Sequence, residues 1–117
     1  MHNLQELIIW QKAMDVTEDV YRLSANFPKE EKYGLTSQMR RSTVSVPSNI
    51  AEGAGRNTDG EFKNFLGIAS GSFNELLTQL FLSHRLELVK ENQVNPIIDR
   101  LIEVQKINYS LIKKFSK

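Results

Sequence analysis

Between Phe62 and Leu80 apolar side chains return every third or fourth residue, through Phe62, Phe65, Leu66, Ala69, Phe73, Leu76, Leu77 and Leu80. A period near 3.6 gathers these positions on one side of an α-helix but scatters them over both faces of a strand, so a helix is required. The same period recurs in three other places. Ile9, Trp10, Ala13, Met14, Val16, Val20, Tyr21, Leu23 and Phe27 share one face, as do Leu35, Met39, Val46 and Ile50. Ile97, Ile98, Leu101, Val104, Leu111, Ile112 and Phe115 make a fourth amphipathic segment. No stretch sustains strand-like alternation, so the fold class is all-α. Four helices with short connections predict an antiparallel up-down four-helix bundle. The 117 residues, 40% of them hydrophobic, fit one domain spanning 1–117.

Local signals set the boundaries. Pro28 ends the first helix or begins the next segment, since its ring cannot continue a helix and biases Phe27 away from the α region. A loop or short helical turn fills Lys29 to Gly34. The second helix is expected from about Leu35 to Glu52, with Gly53 and Gly55 supplying the stop. Thr58-Asp-Gly-Glu61 reads as a capping box opening the third helix. Pro96 fits a first helical turn, and the fourth helix closes on Lys113, Lys114 and Lys117.

Pro47 is the conspicuous irregularity. It falls about three turns into the second helix, where it removes the donor for the Thr43 carbonyl, at a cost on the order of 3 kcal/mol unless neighbours compensate. A proline-kinked second helix is the expectation. The hydroxyls of Thr43, Ser45 and Ser48 are candidates to satisfy the freed groups. Beside the apolar stripe of this helix run Gln38, Ser42, Ser45, Asn49 and Glu52. These residues fit either a bent, tightly packed structural helix or a polar cluster, with Asn49, Glu52 and Arg56, at a site or subunit contact. On the third helix Gly67 and Gly71 lie opposite the core stripe, a place for close approach of another subunit. The first helix has an apolar face of roughly half its circumference, wider than one contact surface needs.

Several chemistries are set aside. Fifteen Lys and Arg against fourteen Asp and Glu leave a formal charge of +1, so any basic site is local. Without cysteine there are no disulfides, thiolate metal sites or cysteine nucleophiles. Neither a signal segment nor an apolar run of membrane-span length is evident, and a soluble, cytoplasmic protein without a membrane partner is expected. A di-iron bundle needs Glu-x-x-His pairs, whereas Phe81 stands three before His84. His84 falls on the apolar stripe and reads as a core or rim histidine. Gly53-Ala-Gly55 lacks the Gly-Lys-Ser/Thr that a phosphate loop requires. Arg40 and Arg41 point about 100° apart, so at most one meets a given partner. No catalytic residue, metal ligand, cofactor or small-molecule substrate is expected, and the protein reads as non-enzymatic.

The runs Trp10-Gln-Lys-Ala13, Phe27-Pro28, Tyr33-Gly-Leu35, Gln38-Met-Arg-Arg41 and Val44-Ser-Val-Pro-Ser-Asn-Ile-Ala-Glu-Gly53, followed by Gly55-Arg56, Glu61-Phe62, Phe65-Leu66, Ile68-Ala69, Gly71-Ser72 and Glu75, carry a resemblance. The chain resembles the bacterial four-helix-bundle proteins encoded by intervening sequences of 23S rRNA genes. It departs from that pattern at Ser42, Thr43 and Phe73, and beyond Leu80 only the apolar rhythm is shared. The resemblance implies a homopentamer without enzymatic activity. A similar pentameric bundle, the accessory variability protein of diversity-generating retroelements, binds nucleic acid and its reverse transcriptase.

Two functional expectations follow from the residues and the resemblance together. In the first, an oligomer binds RNA or a nucleoprotein through Arg40, Arg41 and Arg56 with Lys113, Lys114 and Lys117. In the second, the protein is a structural assembly or protein adaptor, and Gln38, Ser45, Pro47, Asn49, Glu52, Gly53, Gly67 and Gly71 form a structural or interface set.

Overall fold

The computed structural model describes residues 2–116 and contains four α-helices and no strand among them. They are α1 (Ile8–Ser24), α2 (Leu35–Ala54), α3 (Asp59–Arg85) and α4 (Glu91–Lys114), with single 3₁₀ turns at Leu4–Glu6 and Lys29–Glu31. Each helix packs on two neighbours, in the cyclic order α1, α2, α3, α4 and back to α1. The directions follow from cross-helix pairs. Thr17 meets Thr43 while Ser24 meets Arg40; Ser45 meets Ser72 while Ser42 meets Glu75; Asn108 meets Leu66 while Gln105 meets Asn74. Lys12 pairs with Glu103 and Asp19 with Arg100. In every pair one number rises as the other falls, so adjacent helices run antiparallel.

The core lies along the axis of this ring. Ile9, Ala13, Val16 and Val20 of α1 face Met39, Val46 and Ile50 of α2, Phe62, Leu66, Phe73 and Leu76 of α3, and Val94, Leu101 and Val104 of α4. Apart from Val94, which precedes the expected start of the fourth helix, these are positions that the 3.6-residue period selects. Met14 and Tyr21, on the edge of the wide α1 face, stay 38% and 40% exposed. At one end the chain before α1 docks back: the His2 N–H donates to the Ala54 carbonyl at 2.9 Å, and its ring stands 4.9 Å from Phe62 and 6.0 Å from Phe115. No helix is long and apolar enough to cross a membrane among the described residues.

Several boundaries differ from the sequence reading. α2 continues through Gly53 to Ala54, and only Gly55 stands at the cap. At the α3 start the Thr58 hydroxyl accepts from the Glu61 N–H at 3.2 Å, as a cap should, but it also donates to the Glu61 carboxylate at 3.1 Å. The Glu61 carboxylate therefore meets the hydroxyl instead of closing the second half of the box on the backbone. α4 opens at Glu91, more than a turn before Pro96, because the Lys90 N–H donates to the Gln93 side chain at 2.8 Å and starts the helix there. Pro96 thus lies inside α4. His84 is exposed, and Ser83 takes the core position instead: the buried series Phe73, Leu76, Leu80 and Ser83 steps by three at its end, which rotates His84 outward.

Candidate functional site

Pro47 is buried in the middle of α2, and the carbonyl it deprives of a donor is not left alone. Thr17 of α1 supplies the hydroxyl, 3.1 Å from the Thr43 oxygen and 2.8 Å from the Ala13 oxygen, while the Thr43 hydroxyl lies 3.3 Å from that of Thr17. The local hydroxyls expected to do this are occupied elsewhere or exposed. Ser45 shares a hydrogen bond with Ser72 at 2.8 Å, and Ser48 faces outward. Ser45 also receives the Asn49 amide, which reaches the Ser45 carbonyl at 2.8 Å and its hydroxyl at 3.0 Å. Ser45, Asn49 and Ser72 therefore form a polar seam between α2 and α3 within one subunit.

Gly53 sits further along the α2–α3 contact, beside Phe62 and Phe65. A Cβ built on it would stand 2.8 Å from Phe62 Cδ1 and from Phe65 Cβ, and 3.2 Å from the Phe62 carbonyl. The glycine is what lets the two helices approach here. Gly67 and Gly71 are different: nothing lies within 4 Å of a Cβ at either, so they leave the outer face of α3 open. Between them Ile68 is 54% exposed, and Leu82 is exposed further along the helix. Gln38 is exposed on α2.

The basic residues do not form one cluster. Arg40 turns toward α1, where Nε donates to the Ser24 hydroxyl at 3.0 Å and Nη2 to the Tyr21 carbonyl at 3.2 Å, with the guanidinium 4.6 Å from the Tyr21 ring centroid. It closes the C-terminal turn of α1, where orphan carbonyls favour a cation. Arg41 points outward. Arg56 lies roughly 22 Å further along the chain axis, by helical rise. It pairs with Glu52 at 3.2 Å and Glu61 at 4.0 Å and stacks on Phe65 at 4.8 Å. Ser48, Asn57 and these two carboxylates line an open depression of about 750 Å³ around Arg56. Two negative charges against one positive make this a poor seat for phosphate. Lys113 and Lys114 are exposed at the same end of the bundle as Arg56, and Lys117 lies outside the described residues.

Thr17 and Asn108 were not singled out from the sequence, although both fall on the core register of their helices: Thr17 between Ala13 and Val20, Asn108 between Val104 and Leu111. Asn108 is fully buried, and its amide donates to the Leu66 carbonyl at 3.0 Å. A polar residue at a core register position was the available signal. No group of three or more His, Cys, Asp or Glu is placed to hold a metal ion among the described residues.

The family model described as 23S rRNA-intervening sequence protein matches residues 5–110. The chain belongs to that family. Its fold is similar to a crystal structure of a protein of unknown function from the S23 ribosomal protein family of Bacteroides thetaiotaomicron, with a TM-score of 0.81 at 26% sequence identity. The likeness covers 91% of this chain and 99% of that one. No curated protein matches the sequence. In this member of the 23S rRNA-intervening sequence family, the Pro47 segment that carried the sequence resemblance is an internal packing device, holding α2 against α1 and α3.

Proposed function

We propose that this protein is a non-enzymatic assembly module, which works by associating with copies of itself and offering the assembly to a protein or nucleoprotein partner. The observation that carries this reading is the outer face of α3, where exposed Ile68 lies between two open glycines. Small residues one turn apart let another helix come near backbone distance, and burying the remaining exposed half of the isoleucine there would contribute about 1 kcal/mol per copy. A homopentamer is the assembly that the family resemblance suggests, and a bend of α2 at Pro47 is what proline inside a helix suggests. Light scattering coupled to size exclusion tests it. Ile68→Lys and Gly71→Leu should each reduce the mass of the assembly, while an unchanged mass in both variants rejects the α3 face.

A second reading, RNA contact, keeps support from Arg41, Lys113 and Lys114, which are exposed and have no ion-pair partner among the described residues. Arg40 and Arg56 are committed to protein partners and weaken it. Fluorescence anisotropy with a structured RNA at two salt concentrations decides: salt-sensitive binding lost in Arg41→Glu supports the contact. Absence of binding at tens of micromolar, roughly where non-specific binders register, leaves the assembly reading alone.

A further inference from the structure

The inner side of α4 is made of two interleaved rows. Val94, Leu101, Asn108 and Phe115 recur every seven residues, with Ile97, Val104 and Leu111 between them. A slip of α4 by one turn, roughly 5.4 Å, carries each row into the places of the other and keeps apolar side chains against α3. One-turn ratchets of this kind are an established mode of helix motion. The Leu86–Lys90 link between α3 and α4 can extend to about 17 Å and does not forbid the slip. Arg100, Glu103 and Gln105 reach neighbouring helices only through exposed contacts, which align α4 weakly. Asn108 is different, because it is the one polar side chain that α4 buries. Its Nδ2 donates to the Leu66 carbonyl at 3.0 Å, and its Oδ1 is buried without a partner among the described residues. A backbone carbonyl has no proton to give, so turning the amide over would set two oxygens face to face. An orphaned acceptor in a core is a loss that leucine would avoid. Stability alone does not account for an asparagine at this place.

We infer that Asn108 is a register key, whose amide fits one alignment of α4 on α3 and rejects those a turn away. Helical side chains lean toward the N-terminus, so the residues three and four positions on overhang each carbonyl. Over the Leu66 carbonyl these are Ala69 and Ser70, small enough to admit a donor from another helix. One turn earlier the Phe62 carbonyl lies under Phe65 and Leu66, and one turn later the Ala69 carbonyl lies under Ser72 and Phe73. A slipped α4 therefore brings Asn108 to a covered carbonyl and strands its whole amide in the core, whereas a leucine there would accept either alignment.

The test is methyl NMR of the isotopically labelled full chain together with urea unfolding. In the parent, nuclear Overhauser contacts should tie Leu101, Val104 and Leu111 each to one level of α3, and one side-chain amide proton of Asn108 should be protected from exchange. Asn108→Leu should keep or raise the urea midpoint, yet add a second set of contacts displaced by one turn along α3. Ser70→Leu leaves Asn108 in place and, from a half-buried position, hangs a side chain over the Leu66 carbonyl. It should abolish the protection of the Asn108 amide and produce the same second set of contacts. A single set of contacts, unchanged from the parent, in either variant overturns the register key. A lower urea midpoint in Asn108→Leu overturns it as well, since the amide would then be kept for stability.

Discussion

The hydroxyl of Thr17 stands 3.1 Å from the carbonyl oxygen of Thr43, the acceptor that Pro47 leaves without its helical donor. The defect in one helix is thus repaired by its neighbour. Proline at this depth normally costs on the order of 3 kcal/mol, and a cross-helix hydrogen bond returns part of that only where the two helices are in register. We expect Thr17→Val to destabilise by about 1–3 kcal/mol, because a buried carbonyl then goes unsatisfied, while Thr17→Ser retains most of the stability. The decisive measurement is a double-mutant cycle by urea unfolding. In Pro47→Ala the amide of residue 47 returns to Thr43, so Thr17→Val should cost much less there. Equal costs in both backgrounds would show that the hydroxyl serves only the Ala13 carbonyl.

The three glycines separate by what surrounds them. Gly53→Ala gains helix propensity of about 1 kcal/mol yet drives a Cβ into Phe62 and Phe65 and against the Phe62 carbonyl. Backbone cannot swing aside as a side-chain tip does, so the net expectation is destabilisation of about 1–3 kcal/mol. Gly67→Ala and Gly71→Ala meet open space and should stabilise the isolated subunit by up to about 1 kcal/mol each. If another subunit packs on this face, the same two changes should weaken the assembly, so unfolding and mass are measured on the same samples.

Arg40 and Arg41 are adjacent in the chain and opposite in role. Arg40→Ala removes two hydrogen bonds and a stacked guanidinium from the end of α1 and should cost about 1–2 kcal/mol. Arg40→Lys should not restore it, since an ammonium cannot fork between Ser24 and Tyr21 while lying over the ring. Arg41→Ala should stay within about 0.5 kcal/mol of the parent. Thermal unfolding of the three variants distinguishes these outcomes, and equal losses at 40 and 41 would contradict the assignment.

Much of this was legible in the sequence, and the reason is that helix burial follows a single period. The stripe from Phe62 to Leu80, the Thr58 cap and Pro28 at the start of the Lys29–Glu31 turn all depend on local chemistry that the chain states within a few residues. What was illegible depends on a partner distant in sequence. Nothing near Pro47 reveals that Thr17 completes it, and nothing near Arg40 reveals Tyr21 and Ser24. The start of α4 was misplaced for another reason: lysine is not a capping side chain, so Lys90 hid a start in which Gln93 does the capping. The split of the basic residues between the Arg41 region and the Arg56 end also had to await the fold, since clustering in sequence says little about helix faces 22 Å apart by the estimate of roughly 1.5 Å per residue.

Glu87 carries the one non-glycine residue with positive φ among the described residues, at 61°. It sits at the turn after α3, where the Leu88 N–H donates to the Ser83 carbonyl and the Glu87 N–H to the His84 carbonyl, both at 3.0 Å. This double closure demands a left-handed residue at that place, and glycine adopts it without a Cβ penalty. Glu87→Gly is therefore expected to raise stability by about 1 kcal/mol, read as a higher urea midpoint with an unchanged slope. A lower midpoint would mean that the Glu87 side chain makes a contact worth more than the strain.

The Lys12 ammonium lies 2.7 Å from Glu103, and this hydrogen bond, with the attraction between the two charges, holds the Glu103 carboxyl below the usual carboxylate value. A depressed carboxyl contributes stability at pH values above its unfolded pKa, and that contribution disappears as pH falls through the folded one. The effect therefore belongs to the acid limb, below about pH 4.5, and is absent from the neutral plateau. Because both side chains are exposed, the contribution to stability is small and screened by salt, so the titration itself is the sharper readout. A carbon-detected NMR titration should place the Glu103 midpoint below that of an ordinary glutamate. Lys12→Met should return it to the ordinary range. High salt should shift the parent midpoint in the same direction as the mutation. A midpoint indifferent to both changes would show that the pair is not formed in solution.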